Sequence, residues 1–558
     1  MKNIQRLIKT CFFVISFVFI GCKPSTKIKG GVVSAMPYAS EVGVKILKAG
    51  GNAYDAMVAT NFALAVVYPV AGNITGGGFF VYRNADGSSG TLDYREQAPE
   101  KAFKDLYLDE VGNVIPKKST VGGLAVGVPG TVAGTIEIHK KLGTLPLSML
   151  IQPAIDLAEN GYAVTEKQVS SLNGYREVFI EVNGPDTFYA KDFKAGDIIK
   201  NPALAKVLRE IATNGIEGFN SGWVAEAVVS GVQRSGGILT QKDLVNYKPK
   251  WRDPLTFFYK DLKVISMGLP SSGGICLNQM MKMIEPYNIK DMGHNTQKSI
   301  QLMVEAEKRS YADRSEFLGD PDFVQVPLNI LLDSVYIKKK MSGFDWTKAT
   351  PSSEIKPGDS YYFESDETTH FSILDDHGNA VSVTTTLNGA YGSKVFIDEI
   401  GVFMNNEMDD FSSKPGVPNM FGLIGNLANA IEPKKRMLSS MTPTIVEKKG
   451  ELYLILGSPG GSTIITSVFQ TILNVYEHNF PIQKSVNASR FHHQWLPDSI
   501  TFEPNKFDPR LLQNLKNIGY NAEEKKSKII GKVDAILVND GIITLGADYR
   551  GDDTAVAY

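Results

Sequence analysis

The stretch from Thr368 to Asn388 constrains this chain more than any other, because it is written as a β-hairpin with polar residues where a core is expected. Thr368-Thr369-His370-Phe371-Ser372-Ile373-Leu374 leads into the turn residues Asp375-Asp376-His377-Gly378-Asn379, and Ala380 to Thr386 leads out. Two alternating, β-branched runs around an Asp/Gly/Asn turn read as antiparallel strands. If Asp375 faces Asn379 around a three-residue loop, Thr368 stands opposite Thr386. Asn388 then shares their face of the sheet two residues further on, because side chains alternate with period two. A bulge would slip this register by one. A threonine-rich strand is also an ordinary half-solvated sheet face, so the hairpin alone does not make a site.

Other segments add to it. They are Asp93-Tyr94-Arg95-Glu96, the run Glu305 to Arg314, Gly401 to Ser412, Arg436 to Thr444, and Gly457-Ser458-Pro459-Gly460-Gly461-Ser462. Together with the Thr368–Asn388 run, which resembles a processing site, they make the chain similar to the gamma-glutamyltransferases, members of the N-terminal-nucleophile hydrolases. The resemblance spans roughly residue 30 to the C-terminus, in order. It implies an α+β fold, the αββα four-layer sandwich, formed jointly by the two products of self-cleavage at Glu367–Thr368. Residues 22–367 would be the large subunit and residues 368–558 the small catalytic one, interleaved in one fold.

The 558 residues would ordinarily suggest two or more domains, with 43% hydrophobic content ample for a core. Against 60 acidic residues stand 58 basic ones, so no electrostatic footprint for nucleic acid or a membrane surface is expected. The address is at the start. Lys2, Arg6 and Lys9 give a basic lead-in, and Cys11 to Ile20 an apolar run too short to span a bilayer. Residues 1–21 therefore read as a signal peptide, and Phe19-Ile20-Gly21-Cys22 resembles a bacterial lipobox with Phe in place of Leu. Lipidated Cys22 would tether an exported protein to the periplasmic side of a membrane or to the cell surface; an ordinary signal peptide with an incidental cysteine is the alternative. Of three cysteines only Cys276 remains, within an apolar helical pattern that suits packing, and no intramolecular disulfide is expected.

Helical periodicity marks Tyr38 to Ala49, Ala53 to Val67, much of 145–255, Ser299 to Phe317 and Ser462 to Tyr476. Gly76-Gly77-Gly78 opens a strand through Tyr82; no Gly-Lys-Ser/Thr follows, which excludes a phosphate loop. Trp346 to Glu367 is rich in Ser, Pro, Gly and Asp, as suits an exposed segment open to chain cleavage. A second hairpin is expected through Thr444–Val446 and Leu452–Leu456.

A threonine hydroxyl is a weak nucleophile and needs a base beside it. A free α-amino group, with a pKa of about 8, would supply one on the same residue once Glu367–Thr368 is cut. By resemblance the precursor cuts itself: Thr368 Oγ attacks the Glu367 carbonyl, an N→O acyl shift follows, and water hydrolyses the ester. Thr386 would orient the Thr368 hydroxyl. Gly460 and Gly461 precede a helix, where free N–H groups and the dipole favour an oxyanion; a tight turn is the alternative. A γ-glutamyl head carries an α-carboxylate and an α-ammonium. Arg95 offers a fork for the carboxylate, and resemblance adds the hydroxyls of Ser439 and Ser440. Asp410 would hold the ammonium, with Asn388 and Glu407 beside it. A surface ion pair and a capped turn are the plainer readings of these residues taken singly.

Of seven histidines only His492-His493 are adjacent, without partners at metal spacing. His370 and His377, flanking the hairpin turn, suit solvated or capping roles. Acyl-enzyme chemistry requires no cofactor. The expected activity is γ-glutamyl transfer or hydrolysis, with glutathione as donor and an amino acid, dipeptide or water as acceptor. Alternatives are a cephalosporin or poly-γ-glutamate acylase of the same fold, or a lipoprotein that only binds amino-acid-like ligands. The run Lys414 to Gly425 resembles a lid over the donor pocket. Phe421 stands where a latching tyrosine is familiar, so a less firmly closing lid is expected.

Overall fold

The computed structural model describes residues 28–355, 368–525 and 529–558. The leader, Cys22 and Glu367 lie outside the described residues. Two stacked antiparallel sheets form the centre. The first has seven strands in the order Thr554–Ala557, Gly31–Ser34, Thr369–Leu374, Ala380–Thr386, Gly77–Arg83, Ser89–Asp93 and Lys250–Arg252. The second has six: Ile542–Gly546, Asp534–Asn539, Glu451–Gly457, Thr444–Lys448, Leu262–Ser266 and Leu255–Tyr259. Segments from both sides of residue 367 supply strands to both sheets, so neither side owns a core of its own.

Period-two alternation fixes what each face of the Thr368–Asn388 hairpin meets. Phe371, Ile373, Val381 and Val383 point outward into a core shared with the helices Pro37–Lys48, Ala53–Val67 and Thr131–Leu142. The helix Ala53–Val67 is buried all round, and its start is fixed by a capping box between Asn52 and Asp55. Leu374 and Ala380 point inward to meet Ile445, Ile455 and Ile536 of the second sheet. The outer face of that sheet is covered by Gly273–Ile284, Gln297–Phe317 and Thr463–Tyr476. These are the four layers of an αββα sandwich.

The hairpin holds the expected register without a bulge, from Ala380 opposite Leu374 to Thr385 opposite Thr369. The second hairpin also forms, with a register shift between Val446 and Glu447. Between the sheets the packing changes from apolar near the turn to polar toward Thr368. Ser372 Oγ donates to the Asp534 carbonyl and Ser382 Oγ to the Leu456 carbonyl, at 3.1 and 2.9 Å.

His370 lies in this polar stretch and corrects the solvated or capping role expected for it. It is fully buried, with Nδ1 2.9 Å from Thr384 Oγ1 and Nε2 3.1 Å from Ser372 Oγ. Period two turns it inward with Thr368, and Gly457 of the facing strand leaves room for the ring, which a Cβ there would strike. His377, at the turn, is exposed as expected.

Candidate active site

Thr368 stands immediately before the strand Thr369–Leu374 and is only 4% exposed. One step beyond the Thr385–Thr369 pair, the hydroxyls of Thr368 and Thr386 lie 3.3 Å apart. Thr386 Oγ1 also accepts the Asn388 N–H at 2.7 Å. The backbone turns back at Asn388 with φ +74°, a left-handed conformation that asparagine adopts more readily than most side-chain-bearing residues.

Pro459-Gly460-Gly461-Ser462 joins the strand Glu451–Gly457 to the helix Thr463–Tyr476. Gly460 (φ +130°) and Gly461 (φ +53°) occupy backbone regions that favour glycine. The Gly460 carbonyl is taken by the Thr463 N–H and hydroxyl, at 2.9 and 2.8 Å. Neither glycine N–H donates to another described residue. Unengaged N–H groups just ahead of a helix are the equipment of an oxyanion hole.

One narrow cleft is lined by Thr368, Thr386, Asn388 and Gly461 together with Arg95, Glu407, Asp410, Phe421, Ser439 and Ser440. Gly460 lies next to it in the chain. Sequence reasoning thus named most of its wall, and Leu423, Met441 and Ile464 complete it. A larger cavity of about 850 Å³, lined in part by Tyr68, Lys167, Tyr391 and Tyr549, contains none of these groups.

Arg95 and Asp410, expected at opposite ends of a ligand, pair with each other. Arg95 is fully buried, with Nη2 2.5 Å from Asp410 Oδ2 and Nη1 on Glu407 Oε1. Nε donates to the Met437 carbonyl at 3.3 Å. Burial opposes the guanidinium charge, but Glu407 and Asp410 outweigh it and raise the Arg95 pKa. Burial likewise pushes both carboxyls up, against the pull of Arg95. Asp410 also accepts from Asn419 Nδ2 at 2.9 Å. The surface ion pair considered as the plainer reading is therefore excluded.

Ser439 Oγ accepts the Met441 N–H at 3.1 Å, and Ser440 Oγ accepts Arg314 Nη2 at 3.1 Å. Arg314, within the Glu305–Arg314 run, has no role that the sequence alone suggests. It is buried on the helix Gln297–Phe317, and its Nε donates to Ser272 Oγ at 2.9 Å. The signal in the sequence is an arginine in the last turn of a long helix that is buried despite its many charges. Glu96, beside Arg95, likewise carries no signal of its own in the sequence.

The loop 414–425 closes one side. Met420 N donates to Asp409 Oδ2 at 2.9 Å, and Gln494 Nε2 reaches the Phe421 carbonyl at 3.1 Å. The Phe421 ring packs on Gly461, where a Cβ would collide with it. Asn388 Nδ2 contacts Met420 Sδ at 3.6 Å.

Cys276 is buried and its thiol pushed up to about 11 by burial, which fits packing. His492 bonds Thr466 and Gln494, and His493 lies 3.3 Å from Asp498. Among the described residues no group of three or more His, Cys, Asp or Glu is arranged to hold a metal.

The gamma-glutamyltranspeptidase family model matches residues 39–558. A glutathione hydrolase proenzyme of Escherichia coli strain K12 is 44% identical over 536 residues, spanning 95% of this chain and 92% of that protein. The crystal structure of Helicobacter pylori gamma-glutamyltranspeptidase superposes with a TM-score of 0.57 at 47% identity, covering 58% of this chain and 94% of that one. The cephalosporin acylase of Bacillus halodurans covers 95% of this chain and 96% of its own with a TM-score of 0.84; at 23% identity it speaks for the fold alone. A match running from residue 39 to the last, with a relative at 44% identity over nearly its whole length, leaves one assignment: the chain belongs to the gamma-glutamyltranspeptidase family.

Proposed function

We propose that this enzyme hydrolyses glutathione and transfers its γ-glutamyl group through an ester on Thr368, after the precursor cuts itself at Glu367–Thr368. The observation that carries the reading is the Thr368–Thr386–Asn388 relay in the same cleft as the Arg95–Glu407–Asp410 cluster. Once the α-amine of Thr368 is free, it takes the hydroxyl proton as Oγ attacks the γ-carbonyl. Gly460 and Gly461 N–H groups receive the oxyanion. Collapse breaks the amide bond, and the leaving amine recovers the proton from the α-ammonium of Thr368. Water, or the amine of an amino acid or dipeptide, then attacks the ester along the reverse path.

Arg95, Ser439 and Ser440 hold the donor carboxylate, and Asp410, Glu407 and Asn388 its ammonium. Arg95 and Asp410 exchange part of their mutual contact for the two ends of the ligand. An acylase of the same fold need not hold a free ammonium, so buried acids beside Arg95 favour γ-glutamyl donors.

Denaturing electrophoresis with N-terminal sequencing tests the processing step. Two tightly associated chains are expected, the smaller beginning Thr368-Thr369-His370, and Thr368→Ala should stay uncut and inactive. A single intact chain with full activity would sink the mechanism. We also infer an exported lipoprotein anchored through Cys22, on the strength of the leader and Gly21-Cys22. Metabolic labelling with a fatty acid should mark the wild type and miss Cys22→Ser.

A further inference from the structure

Behind the ionic cluster lies a buried acid that the chemistry above does not use. Glu96 is fully buried, and neither of its carboxyl oxygens has a donor from another residue. Oε2 is 3.7 Å from Arg95 Nη1, beyond hydrogen-bond range. It lies against Gly77, where any Cβ would strike it, so this corner of the site is built around the carboxyl. Glu407 gives Oε1 to Arg95, but its Oε2 also lacks a donor. Glu96 Oε2 and Glu407 Oε1 both approach the same nitrogen, Arg95 Nη1, so the two carboxyls converge on one buried point.

Two ionised carboxylates could not sit so in a dry pocket; a bare buried oxygen forfeits hydration, and like charges repel. One proton between them satisfies both. The other groups facing the pair are Arg95 and Asp410, the hydroxyls of Tyr94 and Tyr247, and, through Asp410, Arg314. Both tyrosines are held neutral by burial. With one shared proton, two guanidiniums face Asp410 and a singly charged acid pair, and the cluster is neutral.

We propose that Glu96 is a positioning residue that shares one proton with Glu407 and thereby keeps the cluster electroneutral, matched to a donor head group that is itself a zwitterion. The proposal rests on reading the cluster as the donor clamp. Burial raises Glu96 to about 7 against the pull of Arg95, so the shared proton is lost on the alkaline side of neutrality. The added negative charge then opposes the donor carboxylate at Arg95 and loosens Glu407. Donor KM rises while kcat, set at Thr368, does not follow.

Steady-state kinetics with a γ-glutamyl anilide from about pH 6 to about pH 9 test this. In the wild type, donor KM should climb about tenfold with an inflection near neutrality. Glu96→Gln donates permanently from its amide and cannot ionise, so its KM should stay near the wild-type acid-side value throughout. Glu96→Ala leaves Glu407 without a donor and should raise KM at every pH. A flat wild-type KM, or Glu96→Gln behaving like Glu96→Ala, overturns the proposal. Difference infrared spectroscopy gives a second measure: a protonated-carboxyl band present at low pH in the wild type and missing in Glu96→Gln. If that band behaves as expected while γ-glutamyl and glutaryl anilides turn over equally, proton sharing stands and the donor-clamp reading falls. If the preference for γ-glutamyl holds but the band is unaffected by Glu96→Gln, the clamp stands and the proposal falls.

Discussion

Thr386 Oγ1 accepts the Asn388 N–H at 2.7 Å and lies 3.3 Å from Thr368 Oγ1, so one hydroxyl links Thr368 to a fixed backbone group. The left-handed turn at Asn388 aims that N–H, and the hairpin register sets the spacing. In the proposed mechanism, orientation of the Thr368 hydroxyl is thereby transferred to rigid backbone.

Thr386→Val keeps the shape and removes the hydroxyl. The lost bond should lower kcat by roughly tenfold to a hundredfold, with donor KM nearly unchanged. Thr386→Ser should recover most of the rate. Equal kcat for Val and Thr would show that the hydroxyl is not part of the relay.

The Arg95–Asp410 pair predicts a larger effect. Asp410→Ala removes the countercharge of a buried guanidinium and the expected seat of the donor ammonium. The cost should be about 3 kcal/mol or more, seen chiefly as raised donor KM. Asn419 loses its partner as well, so a Asp410→Asn control separates charge from hydrogen bonding. A donor KM untouched by both changes would remove Asp410 from the clamp.

How far the sequence reaches is visible in the residues themselves. Alternation and turn chemistry are local, so the hairpin, its register and the helix Ala53–Val67 could be read directly. Glu96 and Arg314 were in plain sight within motifs, but their importance comes from partners missing or supplied far along the chain. Ser440 is brought to Arg314, and Glu407 to Glu96, only by tertiary packing. The position of His370 near a polar turn suggests solvent; only the facing Gly457 shows that it points between the sheets.

Acid stability should depend on His370. Burial lowers its pKa from 6.5 to about 3, so between these values the unfolded chain takes up a proton that the folded one refuses. Its contribution is intact above about pH 6.5 and is lost as pH falls toward about 3, where the folded form also protonates. Thermal unfolding should show Tm falling through this window. His370→Gln removes the titration and should flatten part of the fall; His493, lowered to about 4 by burial, accounts for more of it. An unchanged slope of Tm against pH in His370→Gln would exclude the effect.

The lid offers a gain-of-contact test. Phe421 packs on Gly461 but has no hydroxyl for Asn388, whose amide donates to the Asn406 carbonyl at 3.1 Å and turns toward the weak acceptor Met420 Sδ at 3.6 Å. The loop is also held by Asn419 to Asp410, Met420 N to Asp409 and Gln494 to the Phe421 carbonyl. We therefore propose a lid that is seated by backbone and side-chain bonds yet lacks a latch on the nucleophile side. Phe421→Tyr supplies a good acceptor for the Asn388 amide, worth about 1 kcal/mol and so roughly a fivefold shift toward the closed form. Donor exchange should slow, and proteolytic nicking of residues 414–425 should fall by a similar factor. Met420→Leu in the same background removes the competing sulfur and should enlarge both effects. If Phe421→Tyr leaves donor KM, acceptor preference and nicking all unchanged, ring packing on Gly461 alone governs the lid and the missing latch has no consequence.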